Sequence, residues 1–149
     1  MKRILAALTI AALVLFGILA ASAGEGDDTL RFFLAKSDLV VSGTISSNSI
    51  VVTTDPGMPN YLFEFQVDDV LKGEVDLKGK LIRVNIRRFE GGPNWKGHPL
   101  LKDGAHCVLF LKGVKKPSLP AWGEADPWFS VQPANPSMTE SLKRLAAAK

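Results

Sequence analysis

One cysteine, two histidines and one tyrosine are all that this chain of 149 residues holds of three residue types on which much protein chemistry depends. A lone Cys107 cannot close an intrachain disulfide, so the cystine scaffold common in small exported domains is excluded and stability must come from a packed core. Because Cys107 opens the apolar run Cys107-Val108-Leu109-Phe110-Leu111, it reads as a small buried hydrophobe and not as a reactive thiol. His98 and His106 stand alone, and no His-x-His, His-Glu-x-x-His or paired-cysteine spacing is present, which removes the usual metal signatures. Glu90, His98 and Asp103 are too scattered to make a metal centre the preferred reading. No serine has a nucleophile-elbow setting, and Gly91-Gly92 lacks the strand and helix that frame a phosphate loop. No catalytic residue, metal or cofactor is expected.

What the chain does have is an opening segment of unmistakable chemistry. Lys2 and Arg3 precede an apolar run from Ile4 to Ala21, which closes on Ala21-Ser22-Ala23. A basic start, an apolar stretch and small residues at Ala21 and Ala23 form an export signal cleaved before Gly24, so residues 1–23 read as a leader and 24–149 as one mature domain. The alternative is an uncleaved anchor, which would be the only membrane contact, since the run approaches the ~20 apolar residues of a span. The whole chain carries 18 Lys and Arg against 15 Asp and Glu; without Lys2 and Arg3 this becomes 16 against 15. A nearly neutral domain has no general drive toward polyanions, and a nucleic-acid partner is not expected.

In the mature region Asp27 or Asp28 is placed to cap a short helix with Leu30, Phe33 and Leu34 on one stripe. From Leu39 the period becomes two, with Leu39, Val41, Gly43 and Ile45 on one face. Residues 50–54 form a second β-branched run, stopped by the turn Asp55-Pro56-Gly57. The clearest strand runs from Tyr61 to Val67, with a bulge expected at Asp68-Asp69 because the phase slips there. In Leu81 to Arg87 the residues Ile82, Val84 and Ile86 face a core, and a register with Asp68 opposite Arg83 and Glu64 opposite Arg87 is expected. The segment from His106 to Leu111 is apolar on both parities and predicts a strand covered on both faces, with His106 packed beside Val108. A short strand from Trp128 to Val131 and a helix from Ser137, with Ser137 and Glu140 at capping-box spacing, end the chain. The fold class is therefore mainly β: a small antiparallel barrel with a short N-terminal helix and a C-terminal helix.

The segments 37–45, Phe63-Glu64-Phe65-Gln66-Val67 with Val70-Leu71-Lys72-Gly73, and Asp103-Gly104 before Val108-Leu109-Phe110-Leu111 resemble the OB-type barrel of the tissue inhibitors of metalloproteinases and related netrin-like modules. The resemblance implies a closed five-stranded OB-like barrel. It does not carry that family's inhibitory mechanism, in which a processed N-terminal cysteine chelates the target's zinc. Here the new N-terminus is Gly24, and the family's disulfides are missing.

Two long segments between strands, Phe89 to Asp103 and Gly113 to Pro127, are the places for function, since loops of this length in a compact domain are uncommon without a role. Trp95 and His98 lie in the first, Trp122 in the second and Trp128 just beyond it. Tryptophan supplies large contact area at low entropic cost, so these four residues are the candidate ligand-binding set. The expected function is that of an exported, non-enzymatic binding module for a protein or an envelope component. The alternatives are a small exported hydrolase using His98 with a carboxylate, and a structural accessory domain whose tryptophans close the barrel ends.

Overall fold

Period-two alternation becomes strand through the middle of the chain, and the apolar parity of each strand turns inward. The computed structural model describes residues 26–55, 58–87, 100–114, 122–126 and 129–148. It divides the chain into two compact units, Met1–Phe32 and Phe33–Lys149. The described part of the first is helical, and that helix, α1, covers residues 26–36, so its last turn belongs to the second. Ala21, Ala23 and Gly24, where cleavage is expected, lie outside the described residues.

The second unit contains β1 (Leu39–Ile45), β2 (Val51–Asp55), β3 (Met58–Lys72), β4 (Leu81–Arg87), β5 (His106–Gly113), β6 (Trp122–Glu124), β7 (Val131–Pro133) and α2 (Pro136–Ala147). Round the sheet β1 pairs with β3, β3 with β4, β4 with β6, β6 with β5, and β5 again with β1. That circuit closes five strands into an OB-like barrel. β2 pairs with the first half of β3, and β7 pairs with β5. All pairings are antiparallel except β4 with β6, where Val84 meets Trp122 and Asn85 meets Gly123 in parallel.

The barrel interior is filled by Leu39, Val41 and Ile45 of β1, Phe63, Phe65 and Val67 of β3, Ile82, Val84 and Ile86 of β4, and Leu109 and Leu111 of β5. Phe63 and Phe65 are the largest side chains buried in this layer. Each contributes about 1.5–3 kcal/mol through removal of its ring from water. Closing so small a barrel demands bends, and β1 and β3 supply them through two register shifts, one between Val40 and Val41 and one between Ser42 and Gly43. At the second, Ser42 faces Asp69 and Gly43 faces Val67, so Asp68 is the extra residue, as the phase slip predicts. The backbones come so close there that a Cβ on Gly43 would stand 2.0 Å from the Gln66 carbonyl oxygen and 2.9 Å from the Phe65 ring.

Five sequence expectations need correction. Glu64 faces Arg83 and Asn60 faces Arg87, four residues away from the expected register. The cause is the turn: Gly79 N–H donates to Val67 at 2.8 Å, Val67 N–H donates to Lys80 at 3.0 Å, and a 3-10 turn at Val75–Leu77 fills the connection. Asp68 thus never enters the β3–β4 ladder. The last strand is Val131–Pro133, later than the expected 128–131, with Phe129 and Ser130 outside it and Trp128 not among the described residues, and β6 lies inside the segment expected to be loop. The cap of α2 is Asn135, whose side chain accepts from Met138 N–H at 2.8 Å with Pro136 in the first turn, so Ser137 is already helical. His106 is exposed at the start of β5, with Nε2 3.3 Å from Asp68 Oδ2, and is not a packed core residue.

Candidate functional site

The two sides of the barrel differ in what covers them. On β1 and β5 both parities are buried: Leu39, Val41, Leu109 and Leu111 inward, Val40, Val108 and Phe110 outward. Phe110 is covered by Phe129 at 5.2 Å between ring centroids and by Phe33 of α1 at 6.4 Å, while Phe33 and Phe129 stack at 3.8 Å. Lys36 pairs with Asp126 at 2.9 Å, and Lys72 donates to the carbonyls of Leu34 and Ser37, a cation on the C-terminal end of α1. On the other side of the sequence, Leu142 and Leu145 of α2 are buried, and Lys143 pairs with Asp69. The hydrogen bond from Lys143 holds the Asp69 carboxyl below the usual carboxylate range, against the cost of burial and with help from Lys78.

The wall formed by β3 and β4 is bare by comparison. Along β4 the outward residues Leu81, Arg83 and Arg87 are exposed and Asn85 is half-buried. Along β3 the outward residues Asn60, Leu62, Glu64 and Gln66 are half-buried. The register makes a grid of facing pairs: Asn60 with Arg87, Leu62 with Asn85, Glu64 with Arg83 and Gln66 with Leu81. In this grid the Oδ1 atoms of Asn60 and Asn85 are buried without a hydrogen-bond partner among the described residues. An unmet buried acceptor costs about 1–3 kcal/mol, so this wall carries polar groups that the fold alone does not satisfy.

At one end of the grid the connection from β1 to β2 folds back as a polar turn. Ser46 N–H donates to Glu64 at 2.9 Å, and Ser49 N–H donates to Ser46 at 3.3 Å. The Ser49 hydroxyl donates to the Ser46 carbonyl at 2.7 Å and accepts from Glu64 N–H at 3.1 Å, which pins the turn to β3. Asn48 sits at φ 57°, the left-handed region that asparagine tolerates better than most residues. Between turn and wall lies a half-open cleft of about 240 Å³, lined by Ser47, Asn48, Ser49, Val51, Leu62, Phe63, Glu64 and Arg83.

The tryptophan set is only partly placed. Trp95, His98 and Trp128 lie outside the described residues. Trp122 opens β6, half-buried and packed against the barrel core. The long segments that carry Trp95 and Trp122 join β5 at opposite ends, one entering before His106 and the other leaving after Gly113. Among the described residues no three of His, Cys, Asp and Glu gather to hold a metal ion. The cleft and the polar grid were missed in the sequence because their parts come from two strands and a turn that only the register assembles. One signal was readable: the run Ser46-Ser47-Asn48-Ser49 between two β-branched strands marks a polar, exposed turn. No protein-family model matches the chain, and no curated protein matches it.

Proposed function

We propose that the mature chain from Gly24 is an exported, non-enzymatic binding module that recognises a protein or an envelope component. The leader, with Lys2, Arg3 and the small residues Ala21 and Ala23 before Gly24, supports export to a periplasmic or secreted location. The single observation that carries the binding reading is the asymmetry of the barrel. One wall is sealed by aromatic packing and ion pairs, while the β3–β4 wall exposes Arg83 and Arg87 beside two buried asparagine oxygens that no described residue satisfies. In OB-type barrels the second and third strands and the loop after the first form a common ligand face, and here those are β3, β4 and the turn 46–50. That is fold-level analogy, and it points to the same place as the surface chemistry.

The finer likeness to netrin-like inhibitor modules belongs to this proposal at the level of the barrel. Protease inhibition is not part of it, because Gly24 offers no thiol. Trp95 and Trp122 complete the proposed recognition set, with His98 and Trp128 beside them in the chain. The test is capture from the exported fraction on the immobilised mature domain. Replacing Arg83 and Arg87 together by glutamate should abolish retention of the partner, whereas Glu140→Lys on α2 should leave it intact. Retention unaffected by the arginine pair would remove the β3–β4 wall from the account.

A further inference from the structure

Arg83 and Glu64 face each other across β4 and β3, which ordinarily closes a cross-strand ion pair. Here it stays open. Neither side chain makes an ion pair or side-chain hydrogen bond with another described residue, and both line the cleft beneath the turn 46–50. The Glu64 backbone is fixed by Ser49 and Ser46, so the carboxylate starts from a rigid position. Val51, with 53% of its surface exposed, and Leu62 give the cleft an aliphatic flank, and Ser47 and Asn48 give it a polar rim.

We propose that this cleft binds a small zwitterion with an aliphatic side chain, an α-amino acid of the leucine or valine type. The carboxylate is taken by the Arg83 guanidinium, whose planar fork matches it. The ammonium is taken by Glu64. The two charges of an α-amino acid hang from one carbon, which suits a facing pair that does not touch, and its side chain rests on Val51 and Leu62. A cleft of about 240 Å³ is below the size of drug-like sites, and a single amino acid is the matching scale. This site stands on its own lining and does not require the wall to bind a macromolecule.

The test is an amide-shift titration of the mature domain with L-leucine, N-acetyl-L-leucine and L-leucinamide. L-leucine should give saturable shifts at residues 47–51, 62–64 and 83. Blocking either charge should weaken binding at least ~tenfold, the scale of one charged hydrogen-bonded contact. Arg83→Gln should weaken L-leucine equally, yet in that variant L-leucinamide should bind no worse than L-leucine. Glu64→Gln should show the same relation with N-acetyl-L-leucine, a coupling that a general loss of structure would not produce. Circular dichroism of both variants should match the parent. The proposal is overturned if L-leucine gives no saturable shift, if the blocked analogues bind as well as L-leucine, or if the losses simply add. A domain that captures a partner yet ignores L-leucine overturns this inference alone.

Discussion

Cys107 is fully buried in β5, and burial pushes its thiol up to about 12. The native thiol should therefore resist alkylation at about pH 8 and react at once in denaturant, because only the thiolate is nucleophilic. The same shift has a consequence for stability. The unfolded chain releases the thiol proton near its ordinary value of 9.0 while the folded chain holds it to about 12, so stability falls as pH rises through that window. Cys107→Val should show a shallower alkaline decline in Tm than the parent; identical slopes would mean that the thiol is accessible in the fold. This residue was legible in the sequence because its neighbours are apolar on both parities. His106, one position earlier, was not: it begins the strand, where the parity that is covered at Val108 and Phe110 opens to solvent and to Asp68.

Bulge and register decide what each element can do. Gly43 sits where β1 and β3 nearly touch, and an added methyl would meet backbone, which cannot swing away as a side chain can. Gly43→Ala should cost ~1–3 kcal/mol by denaturant titration, whereas Gly79→Ala, where no atom stands within 4 Å of the added carbon, should show only the lesser strain of its positive φ. Equal and small losses at both would show that the β1–β3 closure is loose. Strands with clean alternation, such as Leu81 to Arg87, were readable in position and face because period two encodes both. Their register was not, since it depends on a connection whose 3-10 turn has no sharp sequence mark. β6 was invisible for a related reason: three residues carry too little alternation to separate strand from loop, and it is pairing on both sides that makes Trp122–Glu124 a strand. Asn135-Pro136 gave a cap and a first-turn proline that outweighed the capping-box spacing two residues later.

At the scale of the molecule, closure of five strands divides the outside of the barrel into unequal parts. The β1–β5 side is tied down by Phe33, Phe129 and the Lys36–Asp126 pair, and Asp69 holds Lys143 of α2. Such contacts add to the core, though each exposed ion pair contributes under about 1 kcal/mol. The β3–β4 side holds the facing pairs Asn60 with Arg87 and Glu64 with Arg83, and the cleft at their end. Barrel and helices were legible from patterning alone. The candidate site was not, because its residues are ordinary in sequence and become a set only when two strands and a turn meet. The most direct measurement is amide-shift mapping of residues 24–149 in the presence of the protein or envelope component that capture with this segment is proposed to retain. Recognition through the bare wall predicts shifts at residues 46–50, 60–66 and 81–87. Shifts confined to residues 33–40 and 129–147 would contradict it.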